Sequence, residues 1–218
     1  MKVSVFSDIV CPWCYIGVTR FERAAAAVTL SSGTEFETTL RAYQLDPDAE
    51  SHARPLTESL THKFGGDDNV KANLDRVRAA GEPDGLDFDF ESAVEANTFD
   101  AHRLLTWTVA HDGVVRQRDL AHELWRAHFV EGADVADHDT LIARAGLVGL
   151  DVERVEELLS TNLAADEVQM QRDTARDLGI SSVPTFVIEG RWTITGAQPQ
   201  DALERALKQL ASADGAES

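Results

Sequence analysis

The chain has 218 residues, 43% of them apolar, and a formal net charge of −18. That length and apolar content bound it to one or two domains with a sizeable core, and so strong a negative charge argues against nucleic acid as a partner. No stretch approaches the length of a membrane span, and strand-like sequence begins at once without a secretory leader, so a cytoplasmic protein with no membrane attachment is expected.

Val3-Ser4-Val5-Phe6 alternates apolar and polar residues as a half-buried strand does. The period then changes. Cys14, Val18, Phe21, Ala25 and Val28 recur at spacings of four and three, one apolar stripe along a helix, so Cys14 points toward the core. Cys11 begins the same stripe at the helix N-terminus, where unpaired backbone N–H groups and the positive end of the dipole favour a thiolate. Pro12 fits the first turn, where a missing N–H costs nothing.

Cys11-Pro12-Trp13-Cys14 holds the only two cysteines of the chain. Two thiols in one helical turn can cycle between dithiol and disulfide without large backbone movement. A structural staple is a poor explanation, because closing so short a loop restricts the unfolded chain by only about 2 kcal/mol. Zinc would need two further ligands, with only histidines or carboxylates left to supply them. In a reducing cytosol a vicinal pair is more often catalytic than architectural, so the motif reads as redox chemistry with Cys11 as nucleophile and with no metal or organic cofactor.

The middle of the chain is helical in pattern. Gly81-Glu82-Pro83-Asp84-Gly85 is a turn-rich break. Asp87, Asp89 and Glu91 alternate like calcium ligands, but Ser92 replaces the turn glycine and Thr98 stands where the closing acid belongs, so a solvated acidic loop is expected. A helix starts near Thr98 and carries Leu104, Leu105, Trp107 and Thr108; Leu120, Leu124, Trp125, Ala127 and Phe129 mark another, ended by Gly132. His122-Glu123 opens like a zinc-protease helix, yet Arg126 occupies the second histidine position and the motif fails. Shorter helices follow at Asp139–Ala145, at Val152–Leu159 and from Leu163 to Leu178, where Gly179 stops the last. Trp107, Trp125 and Trp192 read as core or interface residues, and His102 as a buried hydrogen-bonding residue.

Pro184 opens the strand Thr185-Phe186-Val187-Ile188. An X–Pro bond adopts cis at modest cost, and a cis bond here would free the Val183 backbone to pair with another chain, although composition does not establish it. Gly190 offers a turn, Arg191–Thr195 a second strand, and Leu203, Ala206, Leu207 and Leu210 a helix with Pro199 in its first turn.

Strand, CPWC at a helix N-terminus, distant Val183-Pro184-Thr185-Phe186, hairpin and final helix together resemble a thioredoxin-like fold of the DsbA type. Ser7–Cys14, Asn97–Leu104 and Thr195-Gly196-Ala197-Gln198 look specifically like its cytoplasmic FrnE-like branch. The resemblance covers nearly the whole chain and implies an α/β thioredoxin-like domain formed by residues 1–45 and 180–218, with a large helical insertion over residues 46–179. It implies Cys11 as nucleophile, Cys14 as resolving thiol and Pro184 as a cis-proline facing them. The Val183 backbone and Trp13 would then bind substrate, the Val183 N–H and C=O by adding an extended thiol- or disulfide-bearing peptide as a strand. The chain departs from the His-bearing motif of periplasmic DsbA: Trp13 supplies no cation and Asp8 adds a negative charge, so a less oxidising protein is expected. Two rival functions remain, a glutathione-dependent enzyme of the kappa-class transferase or hydroxychromene carboxylate isomerase type, and a redox-inactive binding or chaperone module.

Acidic residues recur in pairs such as Asp67-Asp68 and Asp137/Asp139, while lysine is confined to Lys2, Lys63, Lys71 and Lys208. Salt screens the resulting self-repulsion, which suits either a salt-rich cytoplasm or an ordinary acidic bacterial protein.

Overall fold

In a computed structural model, which describes residues 1–49, 54–64 and 66–217, the expected first strand becomes the inner strand β1 (Lys2–Ser7). The helix that follows, α1 (Pro12–Ser32), buries the predicted stripe of Cys14, Val18, Phe21, Ala25 and Val28, and Gly33 ends it in the left-handed conformation. Then comes β2 (Glu37–Ala42), a strand with weak alternation in which only Leu40 and Ala42 are buried.

Six helices run from there to the next strand among the described residues: α2 (Leu56–Phe64), α3 (Asp67–Gly81), α4 (Phe99–Phe129), α5 (His138–Leu147), α6 (Val152–Ser160) and α7 (Ala165–Asp177). The hairpin is β3 (Thr185–Ile188) and β4 (Trp192–Thr195), and α8 (Gln200–Glu217) follows Pro199. The sheet order is β2-β1-β3-β4, with β1 parallel to β2 and antiparallel to β3. α1 and α8 pack together, and Phe21 stacks on Phe186 of β3 at 4.6 Å. α4 and α7 pack on β2.

α4 is a helical hairpin. A straight helix would separate His102 from Trp125 by about 35 Å at 1.5 Å per residue, yet both contact Asp8. The reversal is at Gly113, whose backbone (φ 86°, ψ 174°) leaves the helical region, so the two arms are the two helices the sequence pattern separates. Gln117 locks them: its Nε2 donates to the carbonyls of Leu105 (3.1 Å) and Leu40 (3.1 Å), and its Oε1 accepts from Leu40 N (2.9 Å). One buried amide thus joins both arms of α4 to β2.

The acidic loop exposes its carboxylates as expected, but its aromatics are buried. Asp87, Asp89 and Glu91 are exposed, but Phe88 and Phe90 between them are buried, stacked at 5.2 Å and set edge-on to Phe129. The segment is an extended strap anchored by aromatics. The turn before it is held to α1 by Asp84, which takes Arg20 Nε at 2.6 Å and Arg23 Nη1 at 3.1 Å. Trp125 is fully buried and Trp107 nearly so, while Trp192 is half-buried at the sheet margin.

His128, near the end of α4, is fully enclosed, and burial pushes its pKa down to about 4. Its unfolded value is about 6.5, so the neutral ring contributes its full share above that pH and loses it as pH falls toward the folded value. Acidification from pH 6.5 to about 4 is expected to cost at most about 3 kcal/mol through this residue. Denaturant midpoints of the wild type and of His128→Phe across that window check it: the variant should lose distinctly less stability on acidification.

Candidate active site

Cys11 caps α1 with extended backbone (φ −101°, ψ 107°), and Pro12 is the first helical residue. Cys14 N donates to Cys11 O at 3.0 Å, closing the first turn. Both thiols are free; Cys14 is fully buried and Cys11 is 4% exposed, more enclosed than a bare helix tip would be. The Cys11 thiol faces the Val183 carbonyl at 3.9 Å, and the Val183–Pro184 bond is cis. Cys11, Cys14, Val183 and Pro184 are therefore brought together across 172 positions of sequence.

Register explains the meeting. Because β1 and β3 run antiparallel with Phe6 opposite Thr185, the end of β1 and the start of β3 share one end of the sheet. The close approach is then set by Gly17 on α1, where a Cβ would lie 2.6 Å from Pro184 Cγ and 3.2 Å from Ala197 Cα. Gly196 N donates to Pro184 O at 2.7 Å, so the Thr195–Gln198 segment backs the proline.

Trp13 is half-buried and packs on the core, with Pro12 beside it. Both help line a cavity of about 270 Å³ onto which Cys11 opens. Its other wall comes from Leu45 and from Leu56, Leu60, Leu74, Val77 and Phe90, with Asn73 and Arg76 as polar members. The sequence reading missed this wall, although Val70, Leu74 and Val77 do stand at helical spacing.

Asp8 is fully buried just before the motif. Its Oδ2 accepts from Leu45 N at 2.7 Å, and its Oδ1 lies 3.2 Å from His102 Nε2. The same nitrogen lies 3.1 Å from the Tyr43 carbonyl, which can only accept, so Nε2 carries the hydrogen. The Asp8 carbonyl takes Trp125 Nε1 (3.2 Å) and Cys11 N (3.3 Å). His102 thus has the buried hydrogen-bonding place expected of it. The Cys14 thiol is pushed well above its ordinary value, first by burial, then by the Cys11 thiol beside it, while a hydrogen bond from the Asp8 backbone opposes the rise and outweighs the smaller push of the Asp8 charge. Among the described residues no cluster of metal-ligating side chains occurs, and no helix is long and apolar enough to cross a membrane.

A dithiol on the first turn of α1, set against a proline-led strand of a four-stranded mixed sheet, defines a thioredoxin-like dithiol protein. Residues 2–208 match the DSBA-like thioredoxin domain family, and the chain belongs to it. The crystal structure of a probable DsbA oxidoreductase from Streptomyces coelicolor is similar with a TM-score of 0.87 and 34% identity, over 96% of this chain and 89% of that one. The cytosolic disulfide reductase DsbM from Pseudomonas aeruginosa, solved with GSH, gives 0.65 at 20% identity over 96% and 99%. A 2-hydroxychromene-2-carboxylate isomerase gives 0.68 at 17% identity over the whole of both chains. These last two are likenesses of fold. The DsbA-type resemblance read from the motifs holds.

Gly→Ala in a helix ordinarily gains close to 1 kcal/mol. Gly17→Ala is expected to reverse that sign and cost about 1–3 kcal/mol, because the rigid Pro184 ring cannot yield without moving its loop. Urea denaturation of the variant, with an exposed helical Gly→Ala as reference, measures it.

Proposed function

We propose that the protein is a thiol-disulfide oxidoreductase or isomerase acting on protein or peptide disulfides. The observation that carries this reading is the asymmetric pair: Cys11 opens onto a cavity and faces the Val183 carbonyl, while Cys14 is sealed behind it. In the reductive direction the Cys11 thiolate attacks one sulfur of a substrate disulfide, and the other sulfur leaves as a thiolate. Cys14 then attacks Cys11 in the mixed disulfide, releasing the second substrate thiolate and leaving Cys11–Cys14 oxidised. Two electrons pass from the dithiol to the substrate, and oxidation is the same path reversed.

Substrate is held by the Val183 backbone pairing with an extended segment, while an apolar side chain beside the substrate cysteine enters the cavity between Trp13 and helices α2 and α3. Chemistry sits on a thioredoxin-like domain of residues 1–45 and 180–218, and residues 46–179 form the helical insertion that shapes the substrate side. The fold shared with a cytosolic disulfide reductase supports a cytoplasmic setting.

A glutathione-dependent reading draws on the fold shared with 2-hydroxychromene-2-carboxylate isomerase and on Arg76 and Asn73 at the cavity. The cysteines separate the readings. With a reduced-protein insulin or peptide disulfide assay, Cys11→Ser should fall to background, and Cys14→Ser should lose turnover while accumulating mixed disulfides visible by mass. Full activity in Cys14→Ser would favour the glutathione-type enzyme, and unchanged function in Cys11→Ser a binding module.

Trp13 places no cation between the thiols. Trp13→His is expected to raise the reduction potential, since an imidazolium there stabilises thiolate and with it the reduced form. Equilibration in thiol buffers followed by alkylation reads the midpoint, and a fall would contradict the argument.

A further inference from the structure

The cavity onto which Cys11 opens is apolar on every side but one. Apart from the reacting thiol, Arg76 is the only ionisable group among the described residues that line it; Asn73 is the other polar member, and no acid is present. The chain carries 38 acids against 20 lysines and arginines, so an arginine left without an acid is informative. Arg76 is exposed, and among the described residues its guanidinium makes no ion pair or hydrogen bond. Helical geometry separates it from the acids of its own helix. At about 100° per residue, Val70, Leu74 and Val77 of α3 form the face turned to the cavity, with Asn73 and Arg76 on one flank and Lys71, Asp75 and Arg78 on the other. Asp75 is taken there by Lys71 Nζ at 2.9 Å and by Arg78 Nη1 at 3.3 Å, and Arg78 also binds Glu91. The charges of that flank satisfy one another, and Arg76 stands alone at the edge of the cavity.

Resting on the proposed dithiol chemistry, we propose that Arg76 makes the protein selective for peptide disulfides that carry an acidic residue close to the reacting cysteine, whose carboxylate it binds. A guanidinium presents a planar fork of donors that meets a carboxylate in two parallel bonds. Because Arg76 is already exposed, it gives up little hydration in doing so, unlike a buried cation. The size of the cavity fixes the spacing. A volume of about 270 Å³ is about 8 Å across if round, close to two residues of extended chain at about 3.3 Å each, and residues two apart share one face of a strand. The selected acid therefore lies two positions from the substrate cysteine. Its preference runs against the field of a chain of net charge −18, which repels anions, so it is a local property of this contact.

Two self-quenched peptide disulfides that differ only in Glu or Gln two positions to either side of the cysteine test this. Reduced full-length protein is mixed with each, and each second-order rate is divided by that with dithiothreitol, which removes the effect of the acid on the disulfide's own reactivity. The wild type is expected to favour the Glu peptide about three- to fivefold at low salt, the upper range of an exposed ion pair. Arg76→Gln should bring that ratio to one or below, and a ratio taken within one protein cancels any loss common to both peptides. Lys2→Gln removes the same charge at the end of β1 away from Cys11 and should keep the wild-type ratio. Equal rates in the wild type, an unchanged ratio in Arg76→Gln, or the same fall in Lys2→Gln would overturn the selectivity and leave the dithiol reading intact. Oxidised glutathione, a small disulfide that also bears carboxylates, is run alongside. Its reduction where neither peptide reacts would move the carboxylate contact to a small thiol and overturn the peptide assignment. Failure to reduce any of the three would overturn the dithiol chemistry itself.

Discussion

The site depends on one close approach, that of the first turns of α1 to the Val183–Pro184 loop. Nothing local forces it. β1 pairs with β3 in a register that puts Phe6 opposite Thr185, so the residues four or five beyond β1 and those just before β3 arrive at the same end of the sheet. Gly17 then removes the one methyl group that would hold the proline off, and Ala197 closes the other side with its backbone. A sulfur at the helix cap and a carbonyl from the far end of the chain are thereby fixed in contact before any substrate arrives, and such pre-positioning converts an encounter into a local step.

Asp8 is the second hub, and it makes the helical segment part of the site. Through main chain and side chain it meets Cys11 N, Leu45 N, His102 and Trp125, so the connection that launches α1 is tied to β2's exit and to both arms of α4. A buried carboxylate left without these donors would cost several kcal/mol, far more than each bond adds when made. The Gly113 reversal is what allows both arms to reach it. Gln117 does the same for the sheet edge, satisfying both the N–H and the C=O of Leu40 where, among the described residues, β2 has no further strand beside it.

Much of this is legible in the sequence, for a definable reason. Strand and helix signals around CPWC, the β3–β4 hairpin and the helices of 98–178 are periodic over short windows, and Pro12, Gly179 and Gly190 punctuate them sharply. The reading faltered where burial is decided by distant partners. β2 is half polar and alternates weakly, and the backbone of its two buried residues is completed by Gln117 of α4 and Gln171 of α7, partners no local pattern announces. Phe88 and Phe90 alternate with acids in a segment that looks solvated until Phe129 is placed against them. Asp8 looked like a charge near the thiols; its binding to His102, 94 positions away, appears only when α4 folds back.

The contributors to the site divide by origin. The reacting sulfurs and the carbonyl that faces Cys11 come from the chain ends: Cys11, Cys14 and Val183. The cavity wall opposite Trp13 comes instead from Leu45 and from residues 56–90, carried by short helices and an aromatic-anchored strap. These are held by side-chain packing, by Arg20 and Arg23 on Asp84 and by a short antiparallel bridge of Pro55 with Val94, outside the four-stranded sheet. Such elements can change shape and composition with little effect on the register of β1 and β3, because their one backbone bridge lies apart from the four-stranded sheet. The geometry at sulfur and the shape beside it are therefore set by different interactions: sheet register and the Gly17 contact fix the first, and apolar packing of α2 and α3 sets the second.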